Sequence, residues 1–209
     1  MPAQTTDDST GNDKYNPIVI VLSGPSGVGK DLLLSRLHSS GGNYHFTITA
    51  TTRAMRADEQ EGVPYHFVSK TQFEAMIADD ALLEWANVYG NYYGIPKSQV
   101  ADALSRRQDV ILKIDVQGAA TVRKVAPDAL FIFLAPPSAD ELARRLRGRG
   151  TEDANALQRR INHAHHEMQR AADFDYTVIH ETDGTNKAVR EIEAIIRKER
   201  ERRIAKNRI

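Results

Sequence analysis

The chain has 209 residues, 41% of them hydrophobic and 27% charged, which is enough for one soluble domain with a sizeable core. Its 28 basic and 28 acidic side chains cancel, which excludes indiscriminate binding of nucleic acid or acidic membranes. The absence of cysteine excludes disulfides, thiol nucleophiles and cysteine-ligated zinc. No apolar run could span a membrane and the N-terminus lacks the pattern of a signal peptide, so a cytoplasmic location is expected.

The polar N-terminus predicts a flexible tail over residues 1–16, followed by a single domain over 17–209. The run from Ile18 to Leu22 is apolar and β-branched, which predicts a strand buried on both faces of a parallel sheet. A helix is predicted from Lys30 to Leu37, and the glycine pair 41–42 supplies its stop.

Residues 43–97 have a different pattern. Short alternating stretches, Phe46 to Thr49 and Tyr65 to Val68, stand among glycine, proline and charged residues, which predicts a small β-rich lobe. The segment Ser69 to Ile77 opens with a capping-box pattern, which predicts a short helix. A further helix is predicted from Lys97 to Arg107.

Two more buried strands are predicted at Val110–Ile114 and Leu130–Leu134, with a helix-length segment between them. This order implies a right-handed parallel crossover. Ser138 is expected to cap a helix through Arg147, and Thr151 is expected to cap a longer one through about Ala172.

The chain continues with a predicted strand, Tyr176 to Ile179, and an amphipathic helix from about Asn186 that ends in a basic segment. We interpret that basic end as a solvated helix terminus rather than a surface for RNA or a partner. Trp85 and the phenylalanines are expected in the core. An exposed polar face, not a metal site, is predicted for the cluster His163, His165, His166 and Glu167.

The segment Gly24 to Lys30 has the spacing of a phosphate-binding P-loop and stands between a predicted strand and a predicted helix. Glycines let the chain turn its N–H groups towards polyphosphate oxygens, and the helix N-terminus adds partial positive charge. Lys30 adds a full charge for the outer phosphates. The predicted ATP-binding residues are Gly24, Pro25, Ser26, Gly27, Val28, Gly29, Lys30 and Asp31.

Two carboxylates are candidates for a magnesium site. Asp31 stands where a P-loop usually has a Ser or Thr hydroxyl for magnesium. It is expected to bind the metal directly, to bind it through water, or to point away as a helix N-terminal acid. Asp115 follows a predicted strand, where a second magnesium-orienting carboxylate is expected, although a turn or cap residue is the alternative.

The segment Thr49 to Arg56 combines hydroxyls with two arginines, a composition suited to holding a phosphate. Further blocks follow in order: Gly62–Phe67, Leu83–Ala86, Gly90–Gly94, Asp115–Gly118, and Ala135–Ser138 leading to Arg145–Thr151. With these blocks the chain resembles the guanylate kinases from Ile18 to about Ile196. Enzymes of this family pass the γ-phosphoryl group of ATP to GMP, giving ADP and GDP.

The resemblance implies a kinase that uses ATP, GMP and Mg²⁺. We expect a monomer or homodimer that binds neither nucleic acid nor membranes. Glu84 would read the base, since one carboxylate can accept hydrogen bonds from the adjacent N1–H and amino groups of guanine. The arginines and tyrosines of the site would hold the GMP phosphate. The implied GMP-binding residues are Thr49, Arg53, Arg56, Tyr65, Glu84, Tyr93 and Asp115.

The resemblance also implies a mobile lid whose arginines neutralise the transferring group. The implied catalytic residues are Lys30, Arg56, Arg145, Arg149 and Arg160. The implied fold is α/β, a P-loop kinase core with a parallel sheet flanked by helices, a β-rich lobe and a helical lid. The expected boundaries are a core at 17–45, 98–137 and 173–209, a GMP-binding lobe at 46–97 and a lid at 138–172.

Several positions depart from the family pattern. Ile95 stands where a hydroxyl residue is common, Lys113 where an acidic residue is common, and His180 with Glu181 where an Asn-Asp pair is common. Two alternative functions stay open at this point. One is a guanylate kinase-like scaffold domain that binds phosphorylated partners without catalysis, and the other is a related kinase acting on a ribose phosphate.

Overall fold

The computed structural model describes residues 16–57, 59–88, 90–148 and 154–206. Three expectations fall outside them: almost all of the N-terminal tail, the lid residue Arg149 and the Thr151 cap. The strands are β1 Val19–Ser23, β2 Tyr44–Phe46, β3 Thr49–Thr51, β4 Gln60–Glu61, β5 Pro64–Phe67, β6 Leu82–Val88, β7 Asn91–Pro96, β8 Asp109–Lys113, β9 Leu130–Ala135 and β10 Tyr176–Ile179. The helices are α1 Lys30–Ser39, α2 Lys70–Ala78, α3 Lys97–Ser105, α4 Val116–Val125, α5 Ala139–Arg147, α6 Ala154–Gln169 and α7 Thr185–Lys206, with a 3-10 turn at Arg170–Asp173.

One sheet is parallel throughout and has the strand order β10-β9-β1-β8-β2. β1 lies in its middle, where Val21 is opposite Leu112 on one side and Phe131 on the other. Parallel strands covered on both faces need nearly continuous apolar sequences, as the runs of β1, β8 and β9 have. The predicted α/β class with a parallel sheet flanked by helices is confirmed.

Successive side chains of each strand enter separate cores on the two faces of this sheet. Ile20 and Leu22 of β1 pack in the core that contains residues of α1 and α7. Val21, between them, packs in the core that contains residues of α3 and α4. Each fully buried aliphatic side chain contributes about 2 kcal/mol of transfer free energy, so a charge at any of these positions would break the sheet's packing.

The other sheet is mixed and has the order β4-β5-β3-β7-β6. The alternating stretch Phe46 to Thr49 is not a single strand, because Phe46 ends β2 in the parallel sheet and Thr49 begins β3 in the mixed sheet. Two hydrogen bonds fix the residues between β2 and β3. Thr47 N–H donates to the Ile111 carbonyl, and the Gln99 side chain accepts from Ile48 N–H. The chain therefore passes from one sheet to the other within two residues.

The local helix signals are confirmed. Ser69 and Gln72 form a complete capping box at the start of α2, and Ser138 accepts from Glu141 N–H at the start of α5. The expectation for Trp85 is wrong: it is 43% exposed, because it neighbours the buried Glu84 on β6 and successive strand residues face opposite sides. No helix within the described residues is long and apolar enough to cross a membrane.

The sheet order fixes where a ligand can bind. In open α/β sheets, ligands bind beyond the carboxyl ends of the strands. β1 and β8 are neighbours, so the loop after Ser23 and the turn after Lys113 emerge at the same edge. At this edge Tyr65 of the mixed sheet contacts Lys113, and side chains of α5 and α6 contact the loop after β1.

Candidate active site

The predicted P-loop connects β1 to α1 and is held in a conformation that requires glycine. Gly24 and Gly29 have φ angles of 150° and 101°. A Cβ atom on Gly24 would lie 2.3 Å from the Leu134 carbonyl oxygen, and one on Gly29 would lie 2.7 Å from the His180 ring. The loop is therefore fixed both by its backbone angles and by the groups packed beneath it.

Lys30 turns back over this loop. Its ammonium donates hydrogen bonds to the carbonyls of Gly24 at 2.5 Å and Pro25 at 3.2 Å. Burial lowers the pKa of Lys30, and the negative charges of Glu167 and Asp31 oppose that shift. The ammonium thus stands inside the loop, where the predicted phosphates would meet it.

Glu167 of α6 is a site residue that the sequence did not indicate. Its carboxylate accepts a hydrogen bond from the Ser26 backbone N–H at 3.0 Å, and the residue is only 6% exposed. The prediction of an exposed polar face is therefore wrong for Glu167, although its neighbour His163 is 38% exposed. No local pattern reveals this contact, because its two partners lie 141 positions apart.

Two of the three predicted lid arginines contact the P-loop. Arg145 donates to the Val28 carbonyl at 3.0 Å and also to the His180 carbonyl at 3.0 Å. Arg160 donates to the Ser26 hydroxyl at 3.1 Å. These two guanidinium groups therefore lie beside the loop in which Lys30 stands.

His180, one of the departures from the family pattern, supports the loop from below. Its Nδ1 lies 2.7 Å from the Val28 carbonyl oxygen and its Nε2 lies 3.0 Å from the Thr185 hydroxyl. Because a carbonyl only accepts, Nδ1 donates to Val28, and Nε2 shares a hydrogen bond with the Thr185 hydroxyl. His180 is 3% exposed, so its imidazole is a fixed part of the loop's floor.

The predicted phosphate-holding residues of the mixed sheet lie together. The guanidinium of Arg53 is 5.3 Å from the centre of the Tyr65 ring, and the Tyr65 and Tyr93 rings are 6.2 Å apart. Arg53 also forms a two-bond ion pair with Glu59, which raises the pKa of Arg53. Arg56 is exposed on the same loop, and its backbone N–H donates to Glu59.

Glu84 is the most unusual group of the site. The residue is 4% exposed, and no described residue donates a hydrogen bond to its carboxylate. Burial, together with the nearby charge of Asp115, raises the pKa of Glu84 to about 8. Gly118 makes room for it, since a Cβ atom there would lie 2.5 Å from Oε2. A ligand that brings hydrogen-bond donors would supply what this carboxylate lacks. Thr49, which is 4% exposed on β3, lies in the same sheet.

The two predicted metal carboxylates have protein partners. Asp115 caps α4 by accepting from Gly118 N–H at 2.7 Å, so the cap interpretation is confirmed, and the metal role stays a prediction. Asp31 accepts from the Lys113 ammonium at 2.8 Å, a contact that the sequence did not indicate. Burial opposes the charge of Lys113, but Tyr65 and Asp31 outweigh it and raise its pKa. Ile95, another departure, is fully buried in the core.

The donor set is suited to magnesium. Among the described residues, no group of three or more His, Cys, Asp or Glu side chains could hold a metal alone. Mg²⁺ usually keeps several waters and binds through one or two carboxylates together with substrate phosphates. One carboxylate, that of Asp115, is enough for that modest requirement.

A parallel sheet with a lysine-bearing P-loop and nearby arginines of a helical segment is typical of P-loop kinases. The model of the family described as guanylate kinase matches residues 16–199. A guanylate kinase of Carboxydothermus hydrogenoformans is 43% identical over 186 residues, which cover 89% of this chain and 90% of that protein. A guanylate kinase of Halalkalibacterium halodurans is 46% identical over 197 residues, covering 93% and 96%.

Comparison of the fold also identifies a similarity to a guanylate kinase. The crystal structure of guanylate kinase from Anaplasma phagocytophilum superposes with a TM-score of 0.71 at 29% identity, covering 90% of this chain and 88% of that chain. The chain belongs to the guanylate kinase family.

Proposed function

We propose that this chain transfers the γ-phosphoryl group of ATP to GMP, giving ADP and GDP. The observation that carries the proposal is Glu84, a buried carboxylate without a hydrogen-bond donor among the described residues. Guanine presents N1–H and an amino group side by side, and one carboxylate can accept from both. Adenine presents an acceptor at N1, which a carboxylate repels, so the same group favours GMP over AMP.

The acceptor phosphate would be held by Arg53, Tyr65 and Tyr93. The ring and guanidinium distances given above leave these groups facing one another, and Glu59 fixes the orientation of Arg53. Arg56 would join them from the same loop. The second pKa of a phosphate monoester is about 6. GMP therefore already carries a nucleophilic oxygen at neutral pH, and no general base is needed.

The donor phosphates would occupy the P-loop. ATP phosphates would replace the Gly24 and Pro25 carbonyls as acceptors for Lys30, and Arg145 and Arg160 would turn towards the same oxygens. Charge shifts onto the phosphate oxygens during transfer, and fixed cations stabilise that change without reorganising. Arg149 remains a predicted third lid arginine.

Magnesium fits this site as a partner of ATP. The carboxylate of Asp115 would hold it directly or through water, and the ion would neutralise part of the charge of the phosphates. The lobe at 46–97 and the lid at 138–172 would close over the two substrates. Closure would exclude water and limit wasteful hydrolysis of ATP.

A coupled assay of ADP formation tests the proposal. With ATP and magnesium, we expect turnover with GMP, and a kcat/KM for AMP at least about 100-fold lower. A ribose phosphate as acceptor should give no ADP above background. No turnover with GMP, combined with measurable GMP binding, would instead support the scaffold alternative.

A further inference from the structure

Lys113 lies between the two predicted substrate sites. Its ammonium donates to the Asp31 carboxylate at 2.8 Å and to the Tyr65 hydroxyl at 3.2 Å. Asp31 belongs to the first turn of α1, directly after the P-loop lysine, whereas Tyr65 belongs to β5 of the mixed sheet. A single side chain at the end of β8 therefore contacts both the donor loop and the acceptor pocket.

The two members of this ion pair differ strongly in exposure. The Lys113 side chain is 14% exposed, and the Asp31 side chain is 77% exposed. Nearly burying an ammonium has a substantial desolvation cost unless partners or a ligand offset it. Within the described residues, the contacts to Asp31 and Tyr65 use two of its three N–H donors. The third remains for a group that enters the cleft.

The charge of Asp31 is directed at Lys113. In the usual P-loop sequence the residue after the lysine is a Ser or Thr whose hydroxyl binds magnesium. A bare carboxylate at that position would repel the triphosphate. Paired with Lys113 it adds no net charge, and it fixes an ammonium 4.7 Å from the centre of the Tyr65 ring. The pair therefore presents its cationic member on the acceptor side.

We propose that Asp31 positions Lys113 as an additional cation for the acceptor phosphate, at the junction with the donor phosphates. The inference rests on the proposed function. In the transfer, an oxygen of the GMP phosphate forms a bond to the γ-phosphorus while the bond from that phosphorus to the bridging oxygen of ADP breaks. Lys113 keeps its proton throughout and compensates charge on the oxygens. Asp31 acts through Lys113 and is not a direct ligand of magnesium.

The direct test compares Lys113→Met with wild type. Methionine keeps the length of the side chain and removes its charge. We expect the Kd for GMP, measured by calorimetry without ATP or metal, to rise about tenfold, with the KM for ATP within about threefold of wild type. The matched control is Lys97→Met, which removes the exposed Lys97–Asp80 ion pair elsewhere in the protein and should change neither value. Unchanged GMP binding in a folded Lys113→Met protein would overturn the inference.

The role of Asp31 is tested by a double-mutant cycle. If Asp31 acts through Lys113, Asp31→Asn should weaken GMP binding about threefold in the wild-type background and have no further effect in Lys113→Met. The magnesium concentration that gives half-maximal kcat should stay unchanged in Asp31→Asn. A several-fold increase of that concentration in both backgrounds would identify Asp31 as a metal ligand and overturn its assignment here. Wild-type turnover of GMP in the same assays tests the proposed function separately.

Discussion

In the predicted donor loop the ammonium of Lys30 already has partners, whereas in the predicted acceptor pocket the carboxyl group of Glu84 has no hydrogen-bond donor among the described residues. Lys30 donates to two carbonyls of its own loop. Glu84 is 4% exposed and receives no hydrogen bond from the described residues, and its pKa is raised to about 8. A loop that binds phosphates of any nucleotide can be built from the backbone of one segment. A pocket that selects one base can instead use a side chain whose acceptors match the donors of that base.

The largest effect is expected from removing the charge of the donor loop. Lys30→Met should lower kcat by about a thousandfold, because a fixed cation at the transferring phosphoryl group is lost. GMP affinity in the absence of ATP should stay within about twofold of wild type, since Glu84 and Arg53 lie in the other lobe. Steady-state kinetics and calorimetry measure the two values. A loss of GMP affinity as large as the loss of kcat would show that Lys30 also contributes to GMP binding.

Removing the base-reading group should affect the other substrate. Glu84→Gln replaces the carboxylate by an amide that can accept only one of the two guanine hydrogen bonds, so kcat/KM for GMP should fall about 100-fold. The KM for ATP should change less than about twofold. A proportional loss for both substrates would make Glu84 a structural residue.

The unsatisfied state of Glu84 predicts a proton release. Its pKa is raised to about 8 in the absence of ligand, and accepting two hydrogen bonds requires the ionised form. At pH 7, GMP binding should therefore release up to about one proton, and GMP affinity should rise by up to about tenfold per pH unit until it levels near pH 8. Calorimetry in two buffers of different ionisation enthalpy measures the release. Glu84→Gln controls for the titration of the GMP phosphate itself, and an identical release in that variant would contradict the prediction.

The same pKa shift sets a stability trend of defined sign. A carboxyl group with a raised pKa contributes stability that is full below its ordinary value of 4.5 and is lost as the pH rises through about 8. Relative to Glu84→Gln, the wild-type free energy of unfolding should therefore fall across this range, by at most about 5 kcal/mol. Denaturant unfolding at several pH values measures the difference. A pH-independent difference would mean that Glu84 is ionised throughout.

The elements that could be predicted from the sequence are those specified by neighbouring residues. The apolar runs of β1, β8 and β9 and the capping box at Ser69 act locally, and the structure confirms them. Phe46 to Thr49 and Trp85 differ, because the partner strand decides which sheet or face a residue joins. An alternating pattern shows that one face is buried, but it does not identify the strand that covers it.

The site divides in the same way. The P-loop could be predicted from the sequence because its pattern lies in seven consecutive residues, from Gly24 to Lys30. The composition of Thr49 to Arg56 suggested a phosphate site, but Tyr65, Glu84 and Tyr93 were predicted only through a family resemblance, since they come from separate strands. The Lys113–Asp31 pair joins positions 82 apart, and no spacing rule relates them.

The smallest effect is expected at Glu167, which contacts the predicted donor loop. Its carboxylate holds the Ser26 N–H from α6, so the donor loop is supported by a group outside the loop, as well as by its own carbonyls. Glu167→Ala leaves that N–H without this partner and should lower the free energy of unfolding by about 1 to 2 kcal/mol, with GMP affinity unchanged. Glu74→Ala, which removes an exposed helical ion pair with Lys70, should cost less than about 0.5 kcal/mol. Equal effects of the two substitutions would mean that α6 does not stabilise the loop, and that the predicted donor site depends on its own backbone alone.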